Sequence, residues 1–331
     1  ALVESNSIYV GYDPSSTTSD AGYNVALGEA LKAITTGDHN IAIGFDALAA
    51  NTTGSFNVAM GKDALASNTT ASENSALGYG SLGSNTTGSN NTALGFKSLE
   101  SNTTASTNTA VGFESLNKNT TGSENNALGF KSLHKNTTGS QNIGIGNSAL
   151  YENTTGNENT AVGEDALKEN TTGATNTVLG SAAGDVITTG SQNVIIGSSS
   201  DPSANSGANQ IVIGYGATGH GDNIAVIGNG SATAIHPHDD NEVDLGSSSY
   251  EYKNLYIDGT AYLDAVGFGT VAMTLPTADG SANQILKTDG SGSLSWTANS
   301  GSGASSITGL SDALVEDNSI YLGNDPSSTT N

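Results

Sequence analysis

A glycine that returns at one fixed short interval limits what this chain can fold into more than any other feature. It stands at Gly44, Gly61, Gly78, Gly95, Gly112, Gly129, Gly146, Gly163, Gly180, Gly197 and Gly214, ten steps of seventeen with no slippage. Gly28 stands sixteen positions ahead of the series and Gly228 fourteen positions after it, so thirteen units span roughly residues 20–230. Each glycine closes an Asn-x-Ala-aliphatic-Gly segment, opened by residues such as Asn57, Asn74, Asn91 and Asn108. Three residues after the Asn comes a large aliphatic, for example Met60, Leu77, Leu94 and Val111. Eight residues after it comes Leu48, Leu65, Leu82, Leu99, Leu116, Leu133, Leu150 or Leu167. Asn-Thr-Thr-Gly or a close variant separates the units, starting at Asn51 and recurring to Asn170.

A unit this short cannot hold a helix-pair repeat, which needs about 33 residues or more. Its Asn-x-Ala-x-Gly segment alternates sides as a strand does, and Asn and Gly in the spacer suit a turn. The expected fold is therefore all-β: a parallel β-solenoid, or β-roll, of about thirteen coils, its rungs about 4.8 Å apart. Asn57, Gly61 and Leu65, then Asn74, Gly78 and Leu82, then Asn108, Gly112 and Leu116, repeat as the structural positions of successive coils. One coil burying about two aliphatics gains on the order of 3–6 kcal/mol. Ordering its backbone costs roughly 1 kcal/mol or more per residue. Only a stack of coils is stable, and Asn ladders can add hydrogen bonds between them.

The two strand faces differ. The first and third residues after Asn share one face (Val58 and Met60, Thr109 and Val111). The third is expected to point into the coil. The second and fourth are Ala and Gly, as at Ala59, Ala93 and Ala110. Such a smooth strip lets another backbone approach closely, which makes it the expected subunit contact. The reverse assignment, with Ala and Gly inside and the aliphatics at the interface, is the alternative. Phe96, Phe113 and Phe130 align as an aromatic ladder that suits a hydrophobic subunit contact or stacking against glycans.

Charge narrows the partners. The 331 residues carry a formal net charge of -23, and all nine basic residues are lysine. Nucleic acid is not an expected partner, since phosphate recognition uses clustered Arg and Lys. Nor is an anionic membrane surface, and no apolar run reaches the roughly 20 residues of a membrane span. The start of the chain lacks a basic segment followed by an apolar one, so no signal peptide is expected there. With no cysteine there is neither disulfide nor thiolate metal site.

The repeated Asn-x-Ala-(Ile/Leu/Val)-Gly motif resembles the β-roll heads of trimeric autotransporter adhesins. With Asn-Thr-Thr-Gly spacers it is similar to repeats in phage tail fibres. Downstream, Ile235-His-Pro-His followed by Asp244-Leu-Gly-Ser and Leu255-Tyr-Ile-Asp-Gly259 looks like a segment of such fibres, as does Leu275-Pro-Thr-Ala-Asp-Gly running to Trp296. The resemblance implies a homotrimer, extracellular or virion-attached. Its domains would be a super-repeat start at 1–19, the β-roll at 20–230, a tail-fibre-like β segment at 231–296, and a Gly/Ser linker with the start of a next super-repeat at 297–331. The last boundary has its own support: residues 1–18 recur at 313–330 with three differences, Ser5/Asp317, Val10/Leu322 and Tyr12/Asn324. That recurrence points to tandem copies along a fibre.

Candidate sites are few. His236, His238 and Asp240, with Asp239, Glu242 and Asp244, can ligate a metal around a three-fold axis or form an exposed acidic turn. The glycine-rich nonapeptide of calcium-binding β-rolls is absent. No nucleophile elbow, phosphate loop or His-Glu-x-x-His occurs. Of the scattered acids Glu114, Glu164 and Asp165, Glu114 and Asp165 share a column with Lys97 and Lys131, as a solvated face does. The expectation is a structural fibre segment with no catalytic site and no cofactor. A bacterial surface filament that binds glycans is the first alternative. An ice- or carbohydrate-binding solenoid using the Thr-Thr columns is the second. Adjacent Thr52 and Thr53 are expected to point to opposite sides, and each Asn-Thr-Thr is formally an N-glycosylation acceptor.

Overall fold

A computed structural model describes residues 2–4, 6–11, 20–232, 235, 245, 247, 249–250, 252–254, 256–257, 265–268, 271–276, 278, 280–282, 284–291, 293–298, 313–316 and 319–322. The chain divides into two compact units, Ala1–Ile235 and His236–Asn331.

The first unit is the solenoid. Its described strands form a 15-stranded sheet in chain order. They are β1 (Leu2–Glu4), β2 (Ser7–Gly11), β3 (Val25–Gly28), β4 (Ile41–Ile43), β5 (Val58–Met60), β6 (Ser75–Leu77), β7 (Thr92–Leu94) and β8 (Thr109–Val111), followed by β9 (Asn126–Leu128), β10 (Ile143–Ile145), β11 (Thr160–Val162), β12 (Thr177–Leu179), β13 (Val194–Ile196), β14 (Ile211–Ile213) and β15 (Ala225–Ile227). β1 and β2 form an antiparallel hairpin. From β2 onward every pairing is parallel, and Ala76, Ala93 and Ala110 lie rung over rung. Ser7–Gly11 thus contributes a rung ahead of the expected thirteen. Thirteen steps of parallel spacing make this sheet roughly 60 Å long.

The strands are short because the repeat glycine ends each one. Gly112 has φ +139°, a conformation that L side chains rarely adopt. A side chain there would also run into the backbone of the next rung at Gly129. The remaining bends use left-handed non-glycine residues, including the column Leu65 (φ 50°), Leu82 (φ 51°), Leu99 (φ 51°) and Leu116 (φ 48°). Past the bend, burial follows a three-residue rhythm: Asn51, Gly54 and Asn57 face inward, while the two residues between each pair are turned out.

The core corrects the expected strand orientation. Ala59, Ala93 and Ala110 are buried to 1% exposure or less, whereas Leu77, Leu94 and Leu128 are 43–49% exposed. Alanine therefore points into the coil and cannot serve as the subunit contact, and the aliphatics stand outside. The reason is volume. The inward leucine of each coil, such as Leu99 or Leu116 at 0% exposure, already fills the narrow interior, leaving room across from it for only a methyl group. One coil shows the exchange directly. Gly184 takes the place of leucine, Val178 the place of alanine, and Ile187 the place of a spacer Asn; Val178 and Ile187 reach within 3.4 Å of where a Gly184 Cβ would lie.

Two asparagine ladders fill the rest of the interior. In the first, each Asn backbone N–H donates to the Oδ1 of the Asn one coil earlier: Asn108 to Asn91 at 3.0 Å, Asn125 to Asn108 at 2.9 Å. The Nδ2 group of Asn108 also donates to the Gly122 carbonyl at 3.0 Å. The second ladder runs through the spacer residues, where Asn119 Nδ2 donates to Asn102 Oδ1 at 3.0 Å and to the Gly122 carbonyl at 2.8 Å. It ends at Ile187, so the buried Oδ1 of Asn170 has no partner.

The described residues of the second unit form three antiparallel hairpins. β16 (Ala265–Phe268) pairs with β17 (Val271–Thr274), β18 (Gln284–Thr288) with β19 (Leu294–Ala298), and β20 (Ala313–Glu316) with β21 (Ser319–Leu322). Trp296 Nε1 donates to the Ala278 carbonyl at 2.9 Å, tying the strand β19 to the segment before β18.

Candidate functional site

The outer surface of the solenoid sorts its chemistry into columns, because residues one period apart stack on one another. On the strand face two columns run side by side. The outer one reads Val10, Leu27, Ile43, Met60, Leu77, Leu94, Val111, Leu128, Ile145, Val162, Leu179, Ile196, Ile213 and Ile227, aliphatic at every rung. The neighbouring column mixes Ile8, Val25, Ile41, Val58 and Ile143 with Ser75, Thr92, Thr109 and Asn126. Neither contains a charged residue over the whole length of the sheet. An uncharged surface of this extent stands out on so acidic a chain. The mixture of Ser, Thr and Asn with aliphatics in the neighbouring column was the available sign that this face is outside, since buried unpaired hydroxyls would be costly.

Charge lies instead on the bend after the strand. Lys32 pairs with Asp46 at 2.6 Å, Lys97 with Glu100 at 2.9 Å, Lys131 with Glu114 at 3.4 Å and Lys135 with Glu152 at 2.7 Å. The Glu100 carboxylate hydrogen-bonded to Lys97 holds that ammonium above its ordinary value. Such exposed pairs contribute little to stability. In one column Lys97, Glu114 and Lys131 alternate in sign, so opposite charges stack there at about 4.8 Å.

Aromatic ladders flank the strand face, one on the side of the bend and one just ahead of the strand. Tyr79, Phe96, Phe113 and Phe130 stack with centroids 5.2–5.3 Å apart and planes within 15° of parallel. Tyr23, His39 and Phe56 form a second stack at 4.9 and 5.0 Å. In both stacks the ring faces lie against one another, so edges are turned to solvent. A sugar stacking on an aromatic ring needs a free face, and these ladders offer one only at their ends.

The spacer presents threonine. Thr52 donates its hydroxyl to the Thr69 carbonyl at 3.0 Å, linking coils. Thr53 and its counterparts Thr70, Thr87, Thr104, Thr121 and Thr138 are exposed, with no hydrogen bond to their hydroxyls among the described residues. The expectation that Thr52 and Thr53 point to opposite sides is corrected: the three-residue rhythm turns both outward. The sequon Asn51 is wholly buried and donates from Nδ2 to the Gly54 carbonyl at 2.9 Å, so its amide serves the fold.

Two partly buried acidic groups lie toward the far end of the solenoid. Asp201 stands where earlier coils carry the core leucine, and its Oδ1 is buried without a partner. Burial first, then the neighbouring Asp185, pushes its carboxyl above the ordinary range, against a hydrogen bond from the Val186 backbone. Asp185 is raised in the same way, by burial and then Asp165, with Lys168 opposing. Among the described residues no group of three or more His, Cys, Asp or Glu could hold a metal ion. The candidate ligands His236, His238 and Asp240 lie outside the described residues. Comparison with protein-family models, with curated proteins and with solved structures finds no match to this chain.

Proposed function

We propose that the chain is a structural segment of an extracellular fibre whose solenoids associate side by side, three copies together, through the aliphatic strand face. One observation carries the reading. In a chain with a net charge of -23, two adjacent columns are free of charge along the whole sheet, and one of them is aliphatic at every rung. Copies of so acidic a chain repel one another everywhere except on such a face. A strip roughly 60 Å long and about 10 Å wide offers on the order of 600 Å² per copy, near what a stable interface uses. Three copies, rather than two, is the arrangement implied by the likeness of the Asn-x-Ala-x-Gly repeat to trimeric adhesin heads and tail fibres. Length and rigidity follow from the stacked coils, and attachment to a host or surface would be the task of the assembled fibre.

Light scattering on the purified chain tests this. A mass near three times 33.0 kDa is expected. Leu94→Glu and Leu128→Glu together place charge in the middle of the face, at residues 43% and 49% exposed in the single chain. They are expected to give the monomer mass with an unchanged far-UV spectrum. A wild-type chain that scatters as a monomer at micromolar concentration would overturn the proposal. A second reading, a solenoid that binds an extended carbohydrate or ice, draws on the exposed threonine column. A monomeric mass together with binding that is lost on Thr87→Val and Thr121→Val would favour it.

A further inference from the structure

The element that opens the solenoid occurs twice in the chain. β1 and β2 pair with Leu2 opposite Tyr9, Val3 opposite Ile8 and Glu4 opposite Ser7. β20 and β21 pair with Leu314 opposite Tyr321, Val315 opposite Ile320 and Glu316 opposite Ser319. The register is the same, and the sequences around the two hairpins differ at only three of 18 positions.

The first copy shows what such a hairpin does. The edge of β2 that faces away from β1 takes β3 in parallel, with Ile8 opposite Val25, Tyr9 opposite Ala26 and Val10 opposite Leu27. The Ile8 N–H donates to the Asn24 carbonyl at 2.8 Å. Ser7 Oγ accepts the Asn24 N–H at 2.8 Å and so begins the first asparagine ladder. Tyr9 occupies the alanine column at 2% exposure and closes the end of the core. In the second copy the sheet stops at two strands, so the equivalent edge of β21 is free among the described residues.

We propose that the β20–β21 hairpin is a seat for a second solenoid of this same repeat. A strand with the chemistry of Asn24–Gly28, from a further copy of the repeat, pairs in parallel with β21. The three residues that make the first contact, Ser7, Ile8 and Tyr9, recur unchanged as Ser319, Ile320 and Tyr321. An unpaired strand edge is a template for another strand. Here the serine hydroxyl adds selectivity, because the first copy uses it to accept the N–H of an asparagine that opens a coil. A solenoid already closed by its own β2 has this edge occupied. The occupant is therefore a solenoid that enters directly from the hairpin or lacks its own cap. The contact runs end to end. It deepens the fibre reading, yet it does not depend on lateral association and is tested apart from it.

The test extends the full chain by a second copy of residues 20–235 after Asn331 and measures amide hydrogen exchange. In the 331-residue chain the Ile320 amide is expected to exchange quickly. In the extended chain it should slow by 100-fold or more, to the rate of the Ile8 amide in the same molecule. Ile320→Pro removes the donor aimed at the seat. It spares the β20–β21 ladder, because Ile8, its counterpart, directs its N–H to β3 and not to β1. In the extended chain this variant should leave the first solenoid protected and deprotect the first strand of the second. Two results would overturn the proposal. One is a second solenoid that folds while the Ile320 amide stays as fast as before. The other is a second solenoid that fails to fold although the first, with the same sequence and the same cap, is intact. Neither result would bear on the light-scattering mass.

Discussion

Leu116 and Leu94 have the same side chain and opposite circumstances. Leu116 lies at 0% exposure, in the left-handed bend, stacked between the leucines of adjoining coils. Leu94 is 43% exposed on the strand face. Leu116→Ala opens a cavity that the narrow coil cannot collapse around, and it should cost about 3 kcal/mol. Leu94→Ala in the single chain should cost well under that, about 1 kcal/mol or less. Urea unfolding of both variants, under conditions where the chain is monomeric, checks the contrast; equal losses would contradict the orientation of the strands. Asp201 is the counter-example in the leucine column. Its folded-state carboxyl titrates above the ordinary value, so the folded chain holds that proton more tightly than the unfolded chain does. This stabilisation is fully present below the unfolded value and is lost as pH rises through the folded one. At neutral pH the ion is a liability, although solvent reaches part of the side chain and screens it. Asp201→Asn removes the ion and should raise stability at neutral pH by only about 0.5 kcal/mol, with little effect in strong acid. Unfolding midpoints under the two conditions test the sign.

At the scale of the coil, the asparagines hold what the thin core cannot. Asn108 accepts the Asn125 N–H at 2.9 Å and donates to the Gly122 carbonyl at 3.0 Å, all within the buried interior. Asn108→Ala leaves the Asn125 N–H without an acceptor. The expected cost is about 3 kcal/mol, and hydrogen exchange should show the loss at Asn125 as well as at position 108. An effect confined to position 108 would mean that the ladder does not couple coils. Much of this element was legible in the sequence. The spacing marked Gly112, Asn108 and Leu116 as repeat positions, and the parallel register follows from it. The direction of the strand did not follow, because period-two alternation says which residues share a face and not which face is inside. What decides it is the volume left beside Leu99 and Leu116, a property of the closed coil. The threonine pair was misjudged for a related reason: it lies in a segment with a rhythm of three, where neighbours need not oppose one another. The duplicated hairpin was legible as a sequence repeat, but its role as a cap required the sight of β2 against β3.

The whole solenoid is a one-dimensional stack in which each coil touches only the coil before and the coil after. Its stability is then close to a sum of coil terms and contacts between neighbours. Removing one complete period should therefore shorten it without breaking it. Deleting residues 108–124 joins Thr107 to Asn125 and keeps every column aligned. Asn125 then donates to Asn91 as Asn108 did, and Leu133 follows Leu99 in the core. The midpoint of thermal unfolding should move by no more than about 5 °C, with the far-UV spectrum retained. Deleting residues 108–116 removes about half a period. It brings Asn117 to the position of a strand asparagine, and every later column shifts against its predecessor. Thr121 would stand where the backbone needs the φ of +139° seen at Gly112, and the polar Asn125 would enter the leucine column. That variant should lose more than about 10 °C or unfold in two steps, as the coils before and after the break part company. If both deletions cost the same, register is not what holds the coils together, and the asparagine and leucine columns would be incidental to the fold.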